Sequence, residues 1–251
     1  MPFPKPDLRR LAPSLLGAAA LAAALAVTGC GFDRPVAAAQ AKPDPLKSVL
    51  DQMDAASKTF HSAVADIRKA QFEKIVHDTT VETGRVYFLR TGTSVQFGGK
   101  FDPPNEQTVE YKDGLVRLYS AGTNHLQEIP AGGANQSQIE TFLTLGFGGS
   151  GTDLAKAWTI TDQGPESISD GGKPVQTEKL DLVSKAAGVR NNFTHITIWV
   201  DPARDVSLKQ EFFTPSGDTQ TAIYTNIRFN QPIDTKTFAI KCKGKCSFTQ
   251  H

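Results

Sequence analysis

The chain has 251 residues, with 27 Lys and Arg against 26 Asp and Glu, and three cysteines. That length suits one large domain or two small ones, and a net charge of +1 with 21% charged residues leaves no basic footprint for a nucleic-acid backbone. Gly and Pro, at 21 and 15 residues, are too few for a low-complexity chain, and 39% apolar residues suffice for a folded core.

The first segment differs from the rest. Arg9 and Arg10 precede an Ala and Leu run from Leu11 to Val27, which ends in the small residues Thr28 and Gly29 and then Cys30. A basic start, an apolar middle and a small-residue end are the parts of an export signal. The run is shorter than the roughly 20 apolar residues a bilayer-spanning helix needs. Val27-Thr28-Gly29-Cys30 resembles the bacterial lipobox, which implies that residues 1–29 are a lipoprotein signal peptide and that Cys30 becomes an acylated N-terminus. The alternative is an ordinary signal peptide with an ordinary cysteine behind it. Acyl chains on Cys30 would anchor the protein to a membrane without any span. The mature chain would have 222 residues, with 24 basic and 25 acidic. Residues 30–45 carry the cysteine and an Ala- and Pro-rich stretch without apolar period, the composition of a flexible tether. Residues 46–251 are left to form the domain.

In that domain Leu46, Val49, Leu50, Met53, Ala56 and Phe60 recur at helical spacing, which predicts one amphipathic helix. The period then changes to two. Runs at 61–76, 84–90, 95–101, 106–112 and 115–121 hold β-branched and aromatic residues, with an Asp113-Gly114 turn between the last two, so they predict an antiparallel meander. A helical stripe of Ile139, Phe142, Leu143 and Phe147 interrupts at Gln136 to Phe147, and a glycine-rich stretch follows it. Strands resume at 157–163, 174–184, 194–201, 206–213 and 218–229, separated by turns at 169–173, 201–205 and 214–218. About ten strands and two helices without βαβ alternation predict an α+β domain. Val86 to Leu89, and Ile196, Ile198 and Val200 with Trp199 between them, are apolar on both strand faces. A sheet with one wet face alternates instead, so both faces are expected to be covered.

These elements, in this order, resemble the LolA/LolB family of outer-membrane lipoprotein carriers and receptors. The resemblance rests on Gly84 to Arg90, on Val109 to Tyr119 around the Asp-Gly turn, on Trp158-Thr159-Ile160, on His195 to Val200, on the Asp201 to Asp205 turn, on Ser207 to Phe213, and on Tyr224 to Ile227 with Phe238. It covers about Leu46 to Ile240, and its strength is the order of weak motifs. The family fold is a strongly curved antiparallel sheet, an incomplete barrel, with helices covering the concave face. The resemblance implies a non-enzymatic protein that binds lipid or the acyl chains of lipoproteins there, without cofactor or metal. It implies a place in the bacterial envelope, tethered to the outer or inner membrane with the domain in the periplasm, and lipoprotein-sorting machinery as a partner. Arg90 stands where the soluble carrier has the arginine that latches its lid helices, with Thr91 in place of the usual following proline. Candidate cavity-lining residues are Tyr87, Phe88, Phe97, Phe142, Leu143, Trp158 and Trp199, with ordinary core packing as the alternative for each. The competing function is a structural or sensor module that recognises a protein partner in the envelope and carries no lipid.

Other motifs carry less. Gly146 to Gly151 follows a helical stripe rather than a strand, which argues against a phosphate-binding loop and for a hinge. His61, His77, His125, His195 and His251 lack metal-ligand spacing, and no Gly-x-Ser-x-Gly elbow occurs to mark a serine hydrolase. Cys242 and Cys246 remain after Cys30. An exported compartment favours their disulfide, closed by a tight turn at Gly244; free thiols, or a metal site with His251, are the alternatives.

Overall fold

The computed structural model describes residues 44–92, 94–131 and 145–250. The expected export signal, Cys30 and the helical stripe at 136–144, with Phe142 and Leu143, lie outside the described residues. Helix α1 spans Pro45–Ser57, three residues shorter than the apolar period predicts. Its start is set chemically: Asp44 accepts the Leu46 N–H at 3.1 Å, and Pro45 occupies the first turn, where no intrahelical donor is needed. Val49, Met53 and Ala56 form its buried stripe. Two shorter helices follow, α2 (Gly151–Ala157), capped by Ser150, and α3 (Ala187–Arg190).

Among the described residues twelve strands form one sheet. In chain order they are β1 (Ser62–Glu73), β2 (Asp78–Thr91), β3 (Ser94–Phe101), β4 (Gln107–Lys112), β5 (Leu115–Ser120), β6 (His125–Pro130), β7 (Trp158–Asp170), β8 (Lys173–Ser184), β9 (His195–Asp201), β10 (Val206–Phe213), β11 (Thr219–Phe229) and β12 (Ser247–Gln250). Two meanders, β1 to β6 and β7 to β11, are joined by antiparallel pairing of β1 with β11. The short β12 lies parallel to β6 and covers that edge, as exposed sheet edges generally require. The α+β expectation holds, with two more strands than the sequence pattern showed. The sheet is curved and open. β7 is four strands away from β11 in the pairing order, yet Asp170 at its end accepts the Ile227 N–H of β11 at 3.3 Å.

Curvature gives the sheet a hollow side. Ala63, Ala65 and Ile67 of β1, Val86 and Phe88 of β2, Ala222 and Tyr224 of β11, and Val206 and Leu208 of β10 point there and form one buried cluster. Leu180, Leu182, Ile196, Ile198, Val200 and Phe212 continue it onto β8, β9 and β10, where Val49 and Met53 of α1 and Leu154 of α2 cover them. Each Val, Leu, Ile, Met or Phe side chain so taken from water contributes about 2 kcal/mol.

The outer side is covered by different means. A 3₁₀ turn at Thr235–Phe238 sets Phe238 against Tyr87, ring centroids 4.8 Å apart, with Val64, Leu89 and Ile233 around them. Farther along, Lys179 and Lys209 stand opposite Trp199 on the neighbouring strands and lie 5.0 and 4.1 Å from its ring; their alkyl stems and charges cover the indole. The C-terminal segment then turns at Gly244 to pair Cys242 with Cys246, Cα atoms 5.5 Å apart. Asn124 fastens this loop by donating to the carbonyls of Lys243 and Lys245 at 3.0 and 3.1 Å.

Because Phe238 is the one ring that covers Tyr87 among the described residues, Phe238→Ala should cost about 3 kcal/mol, read as a lower urea midpoint at unchanged slope. A loss below about 1 kcal/mol, the level of a surface substitution, would show that the 3₁₀ turn adds little to the fold.

Candidate functional site

The hollow of the sheet is occupied by its own chain. Directly before α2, residues Leu145 to Gly148 run into the concave cluster, and Phe147 forms an isolated bridge with Val206. The Phe147 ring stacks on Phe88 at 3.8 Å with 4° between planes, and meets Tyr224 edge-on at 4.9 Å. Phe97, on β3 opposite Phe88, extends this aromatic group at 5.1 Å. Leu145, also buried, packs into the neighbouring cluster under α1 and α2.

The path of this plug depends on glycine. Gly146 and Gly148 have φ of +72° and +71°, values side-chain-bearing residues rarely adopt, and a Cβ on Gly148 would run into the Phe60 ring. Polar contacts hold it as well. Gln210 Nε2 donates to the Leu145 carbonyl at 2.5 Å and Gln210 Oε1 accepts from the Tyr224 hydroxyl at 3.1 Å. Ser207 N–H donates to the Gly146 carbonyl at 2.5 Å, and Gly148 N–H to the Asp205 carbonyl at 3.0 Å. Burial pushes the Tyr224 hydroxyl well above its ordinary pKa, so it stays a neutral donor.

At the end of the plug lies Asp205, fully buried in the β9–β10 turn, with both carboxylate oxygens lacking a hydrogen-bond partner among the described residues. Burial pushes its pKa up to about 8, Arg90 opposes the shift and Asp54 of α1 adds to it. An unpaired buried carboxyl is neutral where its charge would cost several kcal/mol.

The sequence-predicted residues divide. Phe88, Phe97 and Trp158 stand on the concave side, Phe88 under Phe147 and Trp158 in the cluster beneath α1 and α2. Tyr87 and Trp199 do not; strand alternation puts them on the outer face, where Phe238 and the two lysines cover them. Their bulk is explained by those covers, which pattern alone did not show. Arg90 shares the parity of Val86 and Phe88, is half-buried, and lies near enough to Asp205 to act on its carboxyl. The residues that hold the plug, Gln210, Tyr224 and Asp205, escaped sequence reasoning. One signal was present: Gln210 interrupts an otherwise apolar parity of Val206, Leu208 and Phe212. Among the described residues no His, Cys, Asp or Glu group has the makings of a metal site, and no helix is long and apolar enough to cross a membrane.

The likeness of this chain to known proteins lies in its fold. No protein-family model and no curated protein matches the chain. An uncharacterized conserved protein from Thermus thermophilus is similar at a TM-score of 0.50 and 12% identity, over 83% of this chain and 100% of that one. A LolA superfamily protein from Nitrosomonas europaea is similar at 0.37 and 12%, over 78% and 97%. MucB in its complex with MucA from Pseudomonas aeruginosa is similar at 0.47 and 11%, over 80% and 63%. The open, curved, mostly antiparallel sheet with helices on its hollow side is the α+β architecture that the sequence led us to expect.

The Asp205 carboxyl makes stability depend on pH. In the unfolded chain it loses its proton near pH 4, in the folded one near 8, so unfolding releases a proton between those values and stability falls as pH rises through them. Asp205→Asn should flatten that slope in thermal melts taken from pH 4 to 9 and exceed the parent chain in Tm at the alkaline end. Parallel slopes for the two chains would remove Asp205 as the cause.

Proposed function

We propose that this chain is an envelope lipoprotein whose concave face takes up acyl chains of lipids or lipoproteins and hands them on without catalysis. In this reading residues 1–29 are the export signal, acylated Cys30 and the stretch to residue 45 tether the domain to a membrane, and residues 46–251 form the lipid-handling domain in the periplasm. The observation that carries it is the nature of the interior cover: a short plug on glycine pivots, with one stacked aromatic and one leucine inserted in the apolar hollow. The order of sequence motifs shared with the LolA/LolB family supports the same reading.

Magnitudes agree with reversible exchange. Expelling Phe147 and Leu145 exposes side chains worth about 2 to 3 kcal/mol each, whereas burying a methylene returns about 0.8. About five to seven methylenes therefore balance the displaced plug, and a longer acyl chain binds with a surplus small enough for release. The competing reading is a partner-recognition module whose hollow stays filled, and Phe147 seated on Phe88 is the contact that favours it.

Mass spectrometry of lipid extracted from the purified full chain carrying Cys30→Ser separates the two. The expected result is stoichiometric lipid, increased by Phe147→Ala, which removes the competitor for the hollow. Phe88→Asp should lower it at least about tenfold, because a charge in the wall opposes apolar cargo. Trp199→Phe, on the outer face, should leave it unchanged. Folded protein without lipid, with or without Phe147, would reject the carrier reading in favour of the partner module.

A further inference from the structure

The outer face of β3, β2, β1 and β11 holds two adjoining depressions, of about 590 and 260 Å³, which share Asp66 and Arg85. Strand register lays out the floor. Lys100, Arg85, Asp66 and Thr225 form one cross-strand row, and Asp102, Thr83, Arg68 and Ile223 form the next. Phe238 and Thr237 stand at one end. Arg228 lies in the smaller depression, beside a register shift in β1 between Val64 and Asp66.

Charge in this groove is unbalanced. Four cations, Arg68, Arg85, Lys100 and Arg228, meet two carboxylates, Asp66 and Asp102. Asp66 accepts from Arg85 Nε at 3.2 Å and from Asn226 Nδ2 at 2.8 Å, and Asp102 accepts from the Thr83 hydroxyl at 3.0 Å. Among the described residues Arg68, Lys100 and Arg228 have no ion pair. Arg85 and Lys100 are direct cross-strand partners, and like charges so placed destabilise a sheet. A bound anion removes that repulsion. Arg68 and Lys100 stand two strands and one row apart, about 12 Å, a gap that two long side chains can close upon one phosphate.

We propose that this outer groove is a binding site for a phosphate ester. Arg68 and Lys100 hold the phosphate oxygens from two sides, Arg85 turns from Asp66 to join them, and Ile223 and Phe238 lie against the organic part of the ligand. Guanidinium forks suit the oxygens of a phosphate, and Arg228 extends the positive field along the groove. This site lies on the opposite face of the sheet from the plug and does not depend on lipid entering the hollow.

The test is calorimetric titration of the full chain carrying Cys30→Ser with dihexanoyl phosphatidylglycerol below its micellar concentration, alongside inorganic phosphate. Arg68→Gln with Lys100→Gln should weaken phosphatidylglycerol binding about tenfold, as loss of charge-assisted contacts requires, while Phe88→Asp should leave that binding in place. Inorganic phosphate that binds with the same sensitivity to the double substitution supports the site and identifies free phosphate as a sufficient ligand. Equal affinity of the parent chain and the double variant for both probes overturns the proposal, whatever lipid the hollow retains.

Discussion

An open sheet cannot leave the apolar stretches of either face to water, and in this protein those stretches are covered by different devices on the two faces. On the hollow side the Phe88–Phe147 stack is the contact around which the others are arranged. It sets the depth of the plug, which places the Leu145 carbonyl at Gln210 and the Gly148 amide at Asp205. Remove that ring and the polar contacts around it have nothing to bring them together.

The two covers differ in strength. The outer one consists of side chains fixed on the sheet itself, as at Trp199 between two lysines, and of a C-terminal segment held by Asn124 and the Cys242–Cys246 loop. The inner one is part helix and part plug. Where α1 and α2 lie on β8 to β10 the cover is a broad apolar interface, whereas among the described residues the cover over β1, β2 and β11 narrows to a few residues on glycine pivots. A buried carboxyl without a hydrogen-bond partner among the described residues lies at the foot of that narrow part and is a local cost. Displacement of cover by cargo, as in the proposed carrier role, needs this uneven distribution.

Much of the architecture was legible in the sequence because it is local. The helical period from Leu46 to Ala56, the two-residue period of the strands and the Asp113-Gly114 turn each follow from neighbouring residues. The curvature and the pairing of β1 with β11 do not, since their register joins residues about 160 positions apart. The candidate site was legible only in part for the same reason. Phe88 and Phe97 could be picked by type, but Tyr87 and Trp199 have the same type and face the other way. Their burial comes from Phe238, Lys179 and Lys209, which contact them only after the chain has folded.

By itself, then, the amino-acid order determined the α+β class, the succession of elements and the apolar character of both strand faces, because period, turn chemistry and bulk are properties of short segments. Tertiary structure decided which aromatic faces which side, what covers each, and that the balanced charge of the chain conceals an unbalanced groove. Near neutrality is a sum over all residues, and a sum carries no information on position. Only strand pairing sets Lys100 beside Arg85 and leaves Arg68 without a carboxylate partner among the described residues.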